Sequence, residues 1–309
     1  MDRCRIAALF LAWMAVAPGH AADALEAFTV TEIAPGNFVH YGRIEERSPD
    51  NLGDQANIGF IVGERCVAVI DAGGSFAVGQ ALRAAIRRTT DKPVCWVILT
   101  HMHPDHCFGA AAFREDQAVV AGHENLPRSL GQRARPYLNA LKRDLSDRAA
   151  GSEVIPPTLL VRDEMVLDLG GRSIRLKAWP VAHTDNDVTV VDEGTGTLWL
   201  GDLLFVSHTP VVDGKITGFI EVLDQLSTLR VARFVPGHGR TDAPWPQALQ
   251  PERDYLALIV RETRAAIKRR KTIEEAVDEV GLSERDKWVN FDDYHRRNVT
   301  TAYTELEWE

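Results

Sequence analysis

The sequence predicts an α+β fold: a four-layered αββα sandwich with extra C-terminal helices. Three observations carry that reading. Short strand-like runs followed by a helix-like run occur twice, in similar order. Residues of metal-ligand type stand just after several of those runs. Beyond Pro251 the chain turns helical.

The first half reads as the strands Phe28–Ile33, Asn37–Tyr41, Ile58–Val62 and Val67–Asp71, rich in β-branched and aromatic residues and separated by Gly, Asn and Pro. Phe76–Thr90 has apolar residues near helical spacing, at Phe76, Leu82 and Ile86. Val94–Leu99 is wholly apolar, as expected of a strand covered on both faces. A second series of strands is expected from Leu159: Thr158–Val161, Met165–Leu167, Ser173–Trp179, Val188–Val191 and Thr197–Leu200. A helix from about Leu223 to Leu229 and a short strand Phe234–Val235 complete it. The tail reads as helices Glu252–Arg269, Ile273–Val280 and about Tyr294–Leu306. Two polar stretches, Arg43–Ala56 and the helical segment His123–Gly151, read as insertions, the kind of loop that often forms a lid or binding wall.

Composition bounds the function. The 309 residues are 45% hydrophobic and 26% charged, which excludes a disordered chain, a collagen-like repeat and a multi-span membrane protein. With 35 Lys+Arg against 44 Asp+Glu the formal charge is −9, a poor match to a phosphate backbone. No nucleic-acid partner is expected, and the basic run Arg261–Lys271 reads as a solvated helix face. Arg3 and Arg5 precede the apolar run Ile6–Ala17, which is too short to span a bilayer and is followed by Gly19 and Ala21. Met1–Ala21 is therefore expected to be a cleaved secretory signal. Residues 22–309 would be a single domain with a helical extension from about 250, periplasmic or secreted and without stable membrane insertion. In an oxidising compartment Cys66, Cys95 and Cys107 allow at most one internal pair. Cys66 and Cys95 lie in apolar runs and are expected to pack as small hydrophobes.

The chemistry starts where Val94–Leu99 ends. Thr100-His101-Met102-His103-Pro104-Asp105-His106 puts four ligand-type side chains within six residues. Imidazole and carboxylate together suit a first-row metal. One histidine on an apolar face is usually a packed core residue, but three with an aspartate in H-x-H-x-D-H order are a poor way to fill a core. His183 in Ala-His-Thr-Asp-Asn-Asp, Asp202 in Gly-Asp-Leu-Leu-Phe and His238 in Pro-Gly-His-Gly each follow a strand-like run. Each alone is weak; the shared placement makes the set specific.

From about Val67 to His238 the chain resembles the metallo-β-lactamase-fold hydrolase superfamily, on Val-Ile-Asp71-Ala-Gly, the His101–His106 segment, His183, Asp202 and His238. The resemblance implies that His101, His103 and His183 bind one metal, that Asp105, His106 and His238 bind a second, and that Asp202 bridges them. It implies a buried supporting role for Asp71. Two zinc ions per chain are expected, with iron or manganese also accepted by such donors. A bridging hydroxide would attack a small-molecule ester, thioester, lactone or amide carbonyl, with Asp105 orienting it as the catalytic residue. Asp202, where the familiar zinc β-lactamases have Cys or Ser, looks more like the thioesterases, lactonases and phosphodiesterases. His103 stands where the di-iron reductases of this fold have Glu.

Gly53–Gly63 and the tail Tyr294–Glu309 resemble the SoxH-like branch, the quinoprotein relay system zinc metallohydrolases. That branch implies export and association with PQQ-dependent dehydrogenases. Two other readings stand beside the hydrolase: a mononuclear iron persulfide dioxygenase, since those enzymes also carry H-x-H-x-D-H, and a non-catalytic metal-binding accessory protein.

Weaker candidates surround the motif. Phe205 and His208 follow Asp202 and are candidate pocket residues. Asn57 and the Arg43–Ala56 loop are a candidate cleft wall. His123 ends a strand-like run, and Cys107 follows His106; both have packing as the simpler reading, as do Trp96, Trp179 and Trp199. The C-terminal helices would either cover an edge or pair two subunits, so an oligomer stays open.

Overall fold

The computed structural model describes residues 28–309, so the expected signal Met1–Ala21 lies outside the described residues. Two sheets stack face to face. The first holds seven strands in sequence order: β1 (Thr31–Ala34), β2 (Asn37–His40), β3 (Ile58–Val62), β4 (Val67–Ile70), β5 (Val94–Ile98), β6 (Val119–His123) and β7 (Leu159–Val161). Pairing is antiparallel through β4 and parallel from β4 to β7. The second holds β8 (Glu164–Asp168), β9 (Ser173–Ala178), β10 (Val188–Asp192), β11 (Thr197–Trp199) and β12 (Arg233–Val235) in the spatial order β12-β11-β10-β9-β8. Only its β11–β12 pair is parallel.

Parallel neighbours need crossovers, and helices supply them. α1 (Phe76–Thr89) joins β4 to β5. α2 (Pro104–Cys107) and a 3-10 segment, Phe108–Asp116, join β5 to β6, and α3 (Leu126–Leu145) joins β6 to β7. α1 starts where Ser75 accepts the Val78 N–H, a cap that contributes about 1 kcal/mol. Its buried face, Val78, Leu82 and Ile86, packs on the first sheet. α4 (Ile216–Ser227), α5 (Gln250–Lys268), α6 (Ile273–Val277) and α7 (Phe291–Leu306) cover the second sheet.

The period-2 alternation of strands sorts side chains between layers. In β4, Val67 and Val69 face the helices, while Ala68 and Ile70 enter the core between the sheets. That is why the segment reads as unbroken apolar sequence. β9 is covered on one face: Ile174, Leu176 and Ala178 are buried and Arg175 and Lys177 are not. Burying each such aliphatic side chain contributes about 1.5–3 kcal/mol.

The expected αββα layering is what the chain adopts, with several corrections. The run at Leu159 does not open the second half; it closes the first sheet as β7, paired parallel to β6. A three-residue strand carries no signal of which sheet it joins. The first strand lies at Thr31–Ala34, three residues beyond the expected start at Phe28. α4 begins at Ile216, seven residues before Leu223, because Glu305 accepts the Ile216 and Thr217 N–H groups and caps it from α7. α6 ends at Val277 rather than Val280. Cys66 and Cys95 do not merely pack: they form a disulfide with Cα atoms 5.8 Å apart. The parallel β4–β5 pairing brings them together, and no local spacing announces it. Cys107 is left as the free, buried thiol among the described residues. No described helix is long and apolar enough to cross a membrane.

Candidate metal centre

The ligand-type residues converge at one end of the two sheets. His101, His103, Asp105 and His106 leave the end of β5, and Pro104 starts α2, holding Asp105 and His106 in a single turn. His183 sits between β9 and β10, Asp202 follows β11, and His238 follows β12. The two halves of the sandwich thus each bring part of the set.

Within that cluster the donor atoms fall into two groups, His101–His103–His183–Asp202 and Asp105–His106–His238, each with its atoms within 4.8 Å of one another. Asp202 divides its oxygens between them. Oδ2 lies 3.6 Å from His101 Nε2 and 3.5 Å from His183 Nε2. Oδ1 lies 3.0 Å from His106 Nε2 and 3.4 Å from His238 Nε2. His103 turns Nδ1 inward, 3.1 Å from His101 Nε2 and 2.9 Å from His183 Nε2. Asp105 Oδ2 is 3.2 Å from His238 Nε2.

The outward nitrogen of every histidine is engaged, which fixes the tautomers. His101 Nδ1 donates to Thr100 Oγ1, which donates to Asp71. His106 Nδ1 donates to Asp71 Oδ2 at 2.7 Å. His103 Nε2 donates to Asp213 Oδ2 at 2.8 Å. His183 Nδ1 donates to the Val211 carbonyl, and His238 Nδ1 to that of Gln55. In the neutral imidazole each inward nitrogen is then a lone pair. Asp71 reaches its partners because its backbone leaves β4 at φ +55°, a left-handed turn that Asp tolerates better than most residues.

Electrostatics agree with a cation site. Burial, with His103 alongside, pushes His183 down to about 3; burial likewise takes His103 to about 4 and holds His101 well below its ordinary range. These three stay neutral and ready to ligate. At the second group burial is outweighed: Asp202, with Asp105, raises His238 to about 9, and Asp202, Asp71 and Asp105 raise His106 well above its ordinary range. Carboxylate charge exceeds what neutral imidazoles can balance. His106 Nε2 and Asp202 Oδ1 are buried and face each other at 3.0 Å, with no other hydrogen-bond partner. Borderline donors, inward lone pairs and surplus negative charge all fit first-row divalent metal ions.

A cavity of about 330 Å³ opens on this cluster. Glu46, Arg47 and Gln55 of the Arg43–Ala56 insertion form one wall, as expected of that loop. Asn57 does not line it: its amide donates to the Pro236 and Gly239 carbonyls and so anchors the loop carrying His238. Phe205 and His208 do line it, and His208 stacks on His238 with ring centres 5.0 Å apart. His123 is outside, accepting the Asn125 N–H. The Cys107 thiol lies against the Met102 carbonyl, and burial pushes its pKa well up, which leaves it inert. Trp179 and Trp199 are core residues; Trp96 is partly buried at the edge of the inter-sheet core.

Several lining residues escape sequence reasoning. Arg133 and Tyr137, one turn apart on α3, and Tyr294 and Arg297, one turn apart on α7, face the cavity. Asp213 meets both arginines and His103. In the sequence Asp213-Gly214 reads only as a turn, and the arginines sit among many on polar helices.

Comparisons with known proteins agree with this geometry. The family model described as Metallo-beta-lactamase superfamily matches residues 52–238. A linear primary-alkylsulfatase of Pseudomonas sp. (strain ATCC 19151) is 25% identical over 253 residues, 69% of this chain and 48% of that protein. The chain thus spans about half the length of that relative. Acyl-coenzyme A thioesterase MBLAC2 of Bos taurus is 25% identical over 241 residues, 71% of this chain and 84% of that one. The solved stereoselective inverting sec-alkylsulfatase Pisa1 from Pseudomonas sp. shares the fold at a TM-score of 0.68 and 15% identity, over 90% of this chain and 50% of that one. With the family model covering more than half of the chain and the His/Asp cluster assembled inside it, the chain belongs to the metallo-beta-lactamase superfamily.

Proposed function

We propose that this chain is an exported binuclear zinc hydrolase that cleaves a small ester, thioester, lactone or amide at its carbonyl. The observation that carries the reading is Asp202, whose two oxygens face two separate donor groups. His101, His103, His183 and Asp202 Oδ2 would hold one ion; Asp105, His106, His238 and Asp202 Oδ1 would hold the other. When bound, such ions would supply a water whose pKa falls from 15.7 toward about 7 and a Lewis acid for a carbonyl oxygen. The protein supplies the rest. Asp105, partly open to the cavity, stays ionised because His106 and His238 outweigh its burial. It is placed to orient the nucleophilic water and take its proton. Phe205 and Val211 give the cavity apolar walls. His208 donates from Nδ1 to the Thr209 carbonyl, which leaves Nε2 as an acceptor at the wall.

Export is supported by the n-region, apolar run and small-x-small pattern of the first residues and by the Cys66–Cys95 disulfide. The SoxH-like tail supports a place beside a PQQ-dependent dehydrogenase. A second reading, sulfate-ester cleavage at the same centre, is favoured by the likeness to two alkylsulfatases.

Elemental analysis of protein purified without added metal is the first test. About two zinc per chain, with turnover of thioesters, lactones or alkyl sulfates, supports the reading and ranks the substrates. About one iron, with oxygen uptake on a persulfide, rejects it. Asp105→Asn should lower turnover at least about tenfold, in keeping with an acid–base role, while leaving most of the metal bound. Unchanged turnover removes the role assigned to Asp105.

A further inference from the structure

We propose that Arg133 and Arg297 form a subsite for a carboxylate carried by the substrate, beside the His101–His103–His183 group. The proposal rests on the acyl-hydrolase reading above and names its substrate class: acyl compounds with a free acid a few bonds from the scissile carbonyl.

The two guanidinium groups come from helices far apart in sequence, α3 and α7, and meet on one carboxylate. Asp213 Oδ2 accepts from His103 Nε2 and, at 3.3 Å, from Arg133 Nη1; Oδ1 accepts from Arg297 Nη2. The charge count is uneven. Two guanidinium cations meet a single carboxylate. Burial and the adjacent Arg133 charge both push the Arg297 pKa down. A like-charged pair held together in a cavity is matched to a further anion.

The donor count points the same way. A guanidinium has five N–H groups. Asp213 takes one from each arginine, while the Asp213 side chain is 6% exposed and those of Arg133 and Arg297 are 39% and 51% exposed. The remaining donors are available to a planar oxyanion, which arginine binds in bidentate fashion. Arg47, on the opposite wall, differs: it spends two donors on Asp144, which Arg143 also bonds, and its side chain is only 16% exposed. Glu46 also lies on that wall, so the cavity is positive only beside His103.

Placement ties the subsite to the chemistry. Asp213 bonds the outward nitrogen of His103, whose inward nitrogen belongs to the donor cluster. One imidazole and one carboxylate therefore separate the arginines from the reacting centre. Asp213 acts as a positioning residue for both.

The test compares mono-p-nitrophenyl glutarate with its methyl ester, which has the same shape without the charge. The zinc-loaded wild type should prefer the free acid in kcat/KM by about tenfold or more, the scale of a charge-assisted hydrogen bond. Arg297→Gln and Arg133→Gln should each shrink that ratio, chiefly through KM, and the double variant should bring it near one. Arg297→Lys, which keeps the charge and loses the fork, should fall between. Zinc content, measured on every variant, separates loss of the subsite from loss of metal through the Asp213–His103 contact. Calorimetric titration of glutarate into the same zinc-loaded proteins decides the subsite even if neither ester is turned over. Weaker glutarate binding in the glutamine variants supports the subsite while the esterase reading fails. Equal glutarate affinity in wild type and variants, or equal wild-type kcat/KM for acid and methyl ester, overturns the proposal.

Discussion

Replacing Asp71 by Asn exchanges one oxygen for an amide nitrogen and should remove His106 from the ligand set. Asp71 is buried and accepts three hydrogen bonds: Thr100 N–H at 2.8 Å, Thr100 Oγ1–H at 2.7 Å and His106 Nδ1–H at 2.7 Å. The first falls on Oδ1 and the other two on Oδ2. An Asn that keeps its oxygen toward the Thr100 N–H turns its NH2 toward His106, and two donors then face each other. The imidazole resolves this by moving its proton to Nε2, the atom 3.0 Å from Asp202 Oδ1. That nitrogen can no longer bind metal. Losing the outer partner of a ligating histidine costs about 10–100-fold in metal affinity, or about 1.4–2.7 kcal/mol. The strained polar cluster should also lower stability by about 1–3 kcal/mol, the scale of a buried unsatisfied group. Because Thr100 relays Asp71 to His101, the first donor group should weaken too, by less. The assay is a zinc competition titration against a chromophoric chelator, with thermal unfolding on the same samples. Two zinc ions bound by Asp71→Asn at wild-type affinity would refute the tautomer argument.

Other outcomes follow from the same contacts. His208 is buried and its pKa falls from 6.5 to about 4, so the unfolded chain takes up the proton first. Its contribution is full above pH 6.5 and is lost as the pH drops toward 4, on the order of 3 kcal/mol; His208→Phe should flatten that limb of an acid-denaturation profile. The Cys66–Cys95 bridge closes a separation of 29 residues, so reduction, or Cys66→Ser with Cys95→Ser, should cost about 3–4 kcal/mol in a denaturant melt. A Cβ on Gly237 would run into Asp202 Oδ1, so Gly237→Ala should displace the shared carboxylate; zinc stoichiometry below that of the wild type is the readout.

The layers and the metal cluster were legible because both rest on local pattern. Val94–Ile98 reads as a doubly covered strand since each of its faces meets a core, and H-x-H-x-D-H compresses four donors onto one strand end. His183, Asp202 and His238 were legible by position, each just past a strand. What stayed hidden depends on pairing between distant segments. β7 joins the first sheet through a three-residue ladder with β6. Cys66 meets Cys95 because β4 and β5 run parallel. Asp213, Arg133 and Arg297 look like ordinary turn and surface residues until three elements bring them together.

The C-terminal helices show why the site exceeds its motif. The family match ends at residue 238, yet α7 supports the cluster at three points. Asn298 clamps the strip around Val211: its oxygen accepts the Val212 N–H and its nitrogen donates to the Pro210 carbonyl. Val211 in turn takes the His183 Nδ1 proton, so the orientation of His183 is set from α7. Arg297 bonds Asp213, which orients His103. Tyr294 packs against His208 and donates to Glu46, joining the helix to the opposite wall. α7 is itself held by a buried stripe, Phe291, His295, Asn298, Val299, Ala302 and Leu306, that docks it on the helical layer over the second sheet. Apolar burial fixes the helix, the helix fixes two imidazoles through one amide and one carboxylate, and the same turn that carries Arg297 gives the cavity its positive end. A site assembled in this way has its metal-ligand side chains and the proposed carboxylate subsite coupled through a single C-terminal element.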